Sequence, residues 1–232
     1  MTAGVATALI VAAGSGQRLG AGGPKALVDL AGRPLYEWSV DACRSAASVA
    51  RTVVVVPAGR SGDFTAAGVE LTDGAAARSQ SVAAGLALVE TPLVVVHDAA
   101  RPLVTAGLID GAVAMLEADP GLDAVIAAAP VTDTIKQIDG DGAVSRTLDR
   151  DRLRSVQTPQ VFRTEALRRA IASGDIENAT DDAFLIESAG GRVGVFDAPA
   201  SNIKVTVPSD IHLAGLLLEG AAVTTNPSSQ DS

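Results

Sequence analysis

The sequence predicts an α/β fold, a doubly wound and mostly parallel sheet with a projecting β-hairpin arm. Three observations carry this. Apolar runs recur along the chain, stretches with helical spacing separate them, and a glycine-rich turn follows the first run directly. Val- and Ala-rich runs that are continuous, rather than alternating with polar residues, belong to strands buried on both faces. Hydrophobic residues make up 47% of the 232 and aromatics only 3%, so the core is built from Ala, Val, Leu and Ile.

The elements follow in order. Ala6–Val11 is the first strand, and Leu35–Ala47 has the spacing of a helix. Arg51–Val56 is the second strand and ends at Pro57. Ser79–Val89 and Leu108–Ala118 are helices that alternate with the strands Leu93–Val96 and Ala124–Ala128. This β-α alternation is what points to a parallel sheet covered on both faces. After Ala129 the rhythm breaks. Thr134–Ile138 and Ala143–Leu148 flank Asp139-Gly140-Asp141-Gly142, the turn chemistry of a hairpin. Ile135, Ile138, Val144 and Leu148 would make such an arm a sticky edge, for which a second subunit is the simplest cover. The fold resumes with the helix Thr164–Ser173, capped by Thr164, then Asp181–Ala189, the strand Val193–Phe196, and Ile203–Val207. Pro208 and Ser209 open a last helix through Leu218. The expected organisation is one domain over residues 1–219, with an arm at about 133–155 and a polar, disordered tail over 220–232.

Composition excludes several classes of function. A formal net charge of −9 argues against a general nucleic-acid surface and makes any local basic cluster stand out. The single cysteine, Cys43, leaves no internal disulfide, and no apolar run approaches membrane-spanning length. The N-terminal segment lacks a basic region followed by a signal-type apolar stretch, so the cytoplasm is the expected compartment. Only three lysines, Lys25, Lys136 and Lys204, stand against fifteen arginines. A lysine kept in such a chain suits a task needing a compact point charge.

The richest stretch runs from Ala12 to Lys25. Its five glycines let backbone N–H groups turn toward an anion, and Arg18 and Lys25 add two positive charges at the same place. At the end of a first strand such a loop holds a nucleotide's phosphates. Two common phosphate loops do not fit. The dinucleotide fingerprint needs its third glycine where Leu19 stands, and a P-loop needs Gly-Lys-Ser/Thr where Lys25 lies between Pro24 and Ala26. The alternative is a surface turn that binds nothing.

Further constellations lie downstream: Gly74 with Arg78, Ser79 and Ser81; the run His97 to Pro102; Thr132 to Lys136; Asp149-Arg150; Thr158-Pro159-Gln160; and Asn202 to Thr206. Taken in order with the first loop, this set resembles the 2-C-methyl-D-erythritol 4-phosphate cytidylyltransferases, from about Ala6 to about Leu218. The resemblance implies a Rossmann-like fold of the nucleotidyltransferase type. It also implies a reaction, CTP plus methylerythritol phosphate giving 4-diphosphocytidyl-2-C-methyl-D-erythritol and pyrophosphate, in non-mevalonate isoprenoid synthesis. A phosphate oxygen attacks the α-phosphorus in line with the leaving pyrophosphate, so negative charge builds on oxygens that fixed cations and Mg²⁺ stabilise.

The resemblance also assigns residues. Arg18 and Lys25 hold the triphosphate and stabilise the pentacovalent state, and Lys204 positions the attacking phosphate. Ala12, Ala13, Gly14, Gly16, Gly74 and Ser81 face CTP, mainly its base and ribose. Asp98, after a buried strand at the ligand-binding edge, is a CTP-side carboxylate and the one candidate neighbour of a metal; Mg²⁺, or another divalent cation, is held mainly by the triphosphate. Arg101, Thr134, Arg150, Thr180 and Lys204 face the acceptor, and Arg150 reaches the neighbouring subunit's site, so a homodimer is implied. Arg78 either touches the nucleotide or braces its loop, and His97 is a packed ring rather than a metal ligand. The chain departs from the family pattern at Ala26, Ala75, Ala77 and Asp182, none of which removes an assigned charge. The runner-up readings are a ribitol-5-phosphate or other polyol- or sugar-phosphate nucleotidyltransferase, and a nucleotide-binding regulator without turnover. Joint retention of Arg18, Lys25, Asp98 and Lys204 speaks against the regulator.

Overall fold

The computed structural model describes residues 4–14, 16, 19, 22–174 and 179–224. Its centre is a seven-stranded sheet. In chain order the strands are β1 (Ala6–Val11), β4 (Val49–Val56), β5 (Glu70–Asp73), β6 (Leu93–Asp98), β7 (Ala124–Pro130), β10 (Arg154–Arg163) and β11 (Val193–Asp197). Their spatial order is β11-β7-β10-β6-β1-β4-β5. Two small ribbons accompany it, β2 (Asp29–Leu30) with β3 (Arg33–Pro34), and β8 (Lys136–Ile138) with β9 (Val144–Thr147). The helices are α1 (Leu35–Ser45), α2 (Arg78–Leu86), α3 (Ala106–Ala118), α4 (Thr164–Ser173), α5 (Asp182–Ser188) and α6 (Pro208–Thr224).

Side chains alternate across the strands, and each face receives its own helices. On one face Ala6, Ala8 and Ile10 of β1 pack with Tyr36, Val40 and Cys43 of α1 and Ile109 and Val113 of α3. On the other, Leu9 and Val53 pack with Val82 and Leu86 of α2, Leu167 of α4 and Ile186 of α5. Both faces of each central strand are buried, which is why β1 and β4 read as continuous apolar runs. Burial pushes the Cys43 thiol up to about 12, so it behaves as a small core hydrophobe.

The expected doubly wound, mostly parallel sheet is present, with one strand that the sequence concealed. β10 runs antiparallel to both neighbours, β6 and β7, in the middle of the sheet. Its residues Gln157, Thr158, Pro159 and Gln160 argue against a central strand, because a proline cannot donate to a ladder. The pairing with β7 breaks between Val156 and Gln160, and Pro159 sits in that break. Other boundaries also shift. Thr164 begins α4 but does not cap it; its hydroxyl donates to the Thr91 carbonyl at 2.8 Å, and Arg163 takes the cap position. Asp181 does cap α5, accepting from the Phe184 N–H. Ile203–Val207 joins no sheet, although the Val205 N–H donates to Ala100 O at 2.8 Å. α6 continues to Thr224, past the expected end of the fold near 219, and residues 225–232 lie outside those described.

The hairpin forms as expected. Asp139 Oδ1 accepts from the Asp141 and Ala143 N–H groups, and Gly142 takes φ +82°. Ile138 and Val144 remain 62% and 60% exposed. Among the described residues no helix is long and apolar enough to cross a membrane.

Close approach of α2 to the sheet rests on Gly85, where an added Cβ would stand 2.8 Å from Val55 Cγ2 and 3.3 Å from Leu9 Cδ2. Gly85→Ala is expected to lower stability by about 1–3 kcal/mol, the cost of overpacking a filled core. An unchanged urea midpoint would show that the helix can shift without penalty.

Candidate active site

β1 and β6 lie side by side with Val11 opposite Asp98, and from β1 the chain winds outward first to β4 and β5 and then, through β6, to the other side. Such a switch point opens a crevice beyond the carboxyl ends of the strands. The glycine-rich loop leaves β1 there. The Ala12 N–H donates to Val55 O, and the Lys25 N–H returns to Gly14 O at 3.1 Å. Gly16 takes φ +71°, and a Cβ on it would meet Gly23 O at 2.8 Å, so only glycine closes the loop onto the Lys25 backbone.

A cavity of about 360 Å³ occupies the crevice. Ala12, Ala13 and Gly14 line one side, Ala75, Ala76, Ala77, Arg78 and Ser81 another, and Lys25, Asp98 and Lys204 the mouth of the strands. Among the described residues three cations and one carboxylate line the cavity, a local positive excess in a chain of net charge −9. That balance fits a polyanion.

Arg78, Asp98, Lys204 and Asp182 form one connected chain of charges. Arg78 Nε donates to Asp98 Oδ1 at 3.0 Å, Lys204 Nζ donates to Asp98 Oδ2 at 2.6 Å, and Arg78 Nη1 donates to Asp182 Oδ2 at 2.5 Å. Burial by itself would raise the Asp98 pKa, but Arg78 and Lys204 reverse this and hold it well below the usual carboxylate range. Burial likewise works against the Arg78 charge, and Asp98 and Asp182 outweigh it, so the guanidinium is held firmly protonated. Asp182 is fully buried, and there the burial prevails over Arg78, raising its pKa. His97, also fully buried, is lowered by burial to about 4 despite the nearby Asp98 charge, so its ring is neutral at neutral pH.

A second cavity of about 300 Å³ adjoins the first and contains Arg101, Thr158, Gln160, Thr180 and Asp181. Arg78 lines both cavities and is the wall between them. Gln160 Nε2 donates to Asp181 Oδ2 at 2.9 Å, which fixes the amide and leaves its Oε1 without a partner. Among the described residues Arg101 Nε, Asp182 Oδ1 and Asn202 Oδ1 are likewise buried without a partner. Buried polar atoms are normally satisfied; here Arg101 and Gln160 line the cavity and Asp182 and Asn202 bond to its lining residues, whereas Ser39 Oγ, also without a partner, lies in α1.

The expected residues are distributed as follows. Ala12, Ala13, Gly14, Lys25, Ser81, Asp98 and Lys204 meet at the first cavity, and Arg101 and Thr180 at the second. Arg18 lies outside the described residues. Gly16 and Gly74 support the first cavity from behind its lining. Ser81 Oγ accepts from the Ala75 N–H at 3.0 Å and so braces the Ala75–Ala77 loop. Thr134 and Arg150, on the arm, line neither cavity; Arg150 Nη1 donates to Thr132 O at 2.8 Å. Sequence missed Asp182 as the partner of Arg78, and the place of Thr158 and Gln160 in the site. The partners lie 104 positions apart, and the only local signal was an acid beside the capping Asp181.

Gly74 has no room for a side chain: a Cβ would stand 2.8 Å from both Ala13 Cβ and Ser81 Oγ. Gly74→Ala is expected to push the cavity wall inward and weaken nucleotide binding about tenfold, a loss of about 1.4 kcal/mol. Calorimetric titration with unchanged affinity would place the nucleotide elsewhere.

The match to known proteins follows this geometry. The family model for 2-C-methyl-D-erythritol 4-phosphate cytidylyltransferase matches residues 6–220. A Rhodococcus jostii (strain RHA1) protein of that name is 44% identical over 223 residues, covering 94% of this chain and 97% of its own. One from Frankia casuarinae is 42% identical over 217 residues, 91% of this chain and 80% of its own. The crystal structure of the enzyme of that name from Thermus thermophilus superposes with a TM-score of 0.78 at 34% identity, covering 93% of this chain and 99% of that one. The 4-diphosphocytidyl-2C-methyl-D-erythritol synthase of Anaerococcus prevotii gives 0.80 at 26% identity, with 94% and 99% coverage. With a cation-lined crevice at the switch point of its sheet and this likeness along nearly its whole length, the chain belongs to the 2-C-methyl-D-erythritol 4-phosphate cytidylyltransferase family.

Proposed function

We infer that this chain transfers the cytidylyl group of CTP to 2-C-methyl-D-erythritol 4-phosphate, releasing pyrophosphate, and that the two adjoining cavities take the two substrates. The observation that carries the assignment of sides is Arg78, which stands between a recess lined by Lys25 and Lys204 and one lined by Arg101, Thr158, Gln160 and Thr180. The first suits a triphosphate and the second a phosphorylated polyol, whose hydroxyls both donate and accept. The attacking phosphate is already ionised at neutral pH, so the reaction needs no protein nucleophile or general base. It needs positive charge where the five-coordinate phosphorus gathers negative charge. Lys25 and Lys204 supply it, together with Arg18 from the same loop. Asp98 fixes the Lys204 ammonium at the cavity wall.

Among the described residues Asp98 is the sole carboxylate lining the first cavity, and no three His, Cys, Asp or Glu side chains gather as metal ligands. This donor set suits Mg²⁺, or another divalent cation, held chiefly by the triphosphate with Asp98 beside it; the ion would neutralise phosphate charge. The arm completes the site in a homodimer. Its exposed Ile138 and Val144 call for cover, and Thr134 and Arg150 lie away from their own subunit's cavities, which suits work at the partner's acceptor side. The cytoplasm, which supplies CTP, is the compartment that suits this reaction.

Pyrophosphate release from CTP is expected with methylerythritol phosphate in the presence of Mg²⁺; release with ribitol 5-phosphate instead would overturn the acceptor. Lys25→Ala is expected to lower kcat about 10²–10³-fold, as for other lost donors to a developing oxyanion, and an unchanged kcat would remove its catalytic role. Arg150→Ala and Lys204→Ala are each expected to cripple turnover alone. Mixed and re-equilibrated, they are expected to recover about a quarter of wild-type activity, since half of the dimers then hold one intact composite site. No recovery would mean that each subunit works by itself.

A further inference from the structure

Among the described residues the His97 ring, at the end of β6, is a buried titratable side chain that the chemistry above leaves without a task. Its Nε2 lies 3.1 Å from Arg101 O, and its Nδ1 lies 3.0 Å from Thr158 Oγ1. The same Thr158 oxygen accepts the Asp98 N–H at 3.1 Å. A carbonyl only accepts, so Nε2 carries the proton. A neutral imidazole has one N–H, so Nδ1 must accept. The one hydroxyl hydrogen of Thr158 therefore points at Nδ1, while its lone pair faces the Asp98 amide. Every proton in the set has one place.

We propose that His97 and Thr158 form a directional hydrogen-bonded bracket that positions Asp98 and Arg101, and that His97 is a positioning residue for the acceptor side of the reaction. The bracket closes on itself. Arg101 Nη1 donates to Asn202 O at 2.8 Å, and Asn202 Nδ2 donates to Thr158 O at 2.9 Å. The ring of contacts thus joins the end of β6, the loop to Arg101, the segment before Val205 and the irregular centre of β10. A histidine kept only to fill space would not need its two nitrogens to end on the backbone of Arg101 and the hydroxyl that holds Asp98. The proposal rests on the assignment of Asp98 and Arg101 to the two substrates made above.

The test has two arms. The chain has only two histidines, so nitrogen-detected NMR of the full protein, with His212→Gln to assign the other ring, reads the His97 tautomer directly. The Nε2–H form is expected; the Nδ1–H form would overturn the bracket. In steady-state assays Thr158→Val, which keeps the volume and removes the hydroxyl, is expected to lower kcat/KM for the acceptor tenfold or more. That is roughly the loss usual for a missing orienting partner. Thr158→Ser is expected to restore activity. A loss under about threefold in fully folded Thr158→Val, or an equal loss in Thr158→Ser, would overturn the positioning role. Absence of wild-type turnover in the same assay would count against the reaction itself, while the tautomer still decides the bracket.

Discussion

Asp98 accepts from Arg78 at 3.0 Å and from Lys204 at 2.6 Å, and the whole site is organised around that one carboxylate. It stands at the last position of β6, directly opposite Val11, where the first loop begins. A carboxylate there without partners would carry a large desolvation penalty, and two cations alone would repel each other. Together the three charges hold Lys204 and Arg78 at defined places on the cavity wall. Asp182 extends the arrangement inward and balances it, two cations against two anions. The cost is a buried carboxylate with one oxygen left without a partner.

The sheet explains why these charges can meet. β1 and β6 are neighbours because the winding reverses between them, and loops from both strands open on the same edge. β10 then inserts antiparallel beside β6 and brings Thr158 and Gln160 to that edge from a distant part of the chain. Its pairing with β7 is interrupted around Pro159, and that interruption frees Thr158 to meet His97 and the Asp98 amide. The irregular stretch is thus the part of the sheet that contacts the site. Strand regularity gives way where polar groups are needed, as is usual for bulges near functional sites.

Around this core the two cavities have different chemistry. The first is shaped by small residues, Ala12, Ala13, Ala75, Ala76 and Ala77, with its charges on Lys25, Arg78, Asp98 and Lys204. The second is bounded by Arg101, Thr158, Gln160 and Thr180, and several of its neighbours carry partnerless polar atoms. In the function proposed above, small residues are what a planar base needs beside it, and backbone hydrogen bonds are what can discriminate between bases. A polyol needs many polar partners instead. Arg78 is common to both cavities, which couples the geometry of one to that of the other.

Much of this was legible in the sequence because it depends on local patterns. Buried parallel strands must be apolar on both faces, so β1, β4, β6 and β7 announced themselves, and Asp139 to Gly142 announced the hairpin turn. The glycines and the cations of the first loop, and the ordered motifs through Asn202–Thr206, pointed to the chemistry and to most residues around both cavities. What the sequence by itself determined is therefore the layered fold, the glycine-rich loop after β1 and the family. Only the tertiary structure decided that β10 is a central strand, that Arg78 pairs with Asp182, and that His97 faces Thr158. Those facts depend on contacts between residues 24 to 104 positions apart. Proline and polar residues in β10 contradict its strand propensity locally, and only pairing with both neighbours, β6 and β7, overrides them.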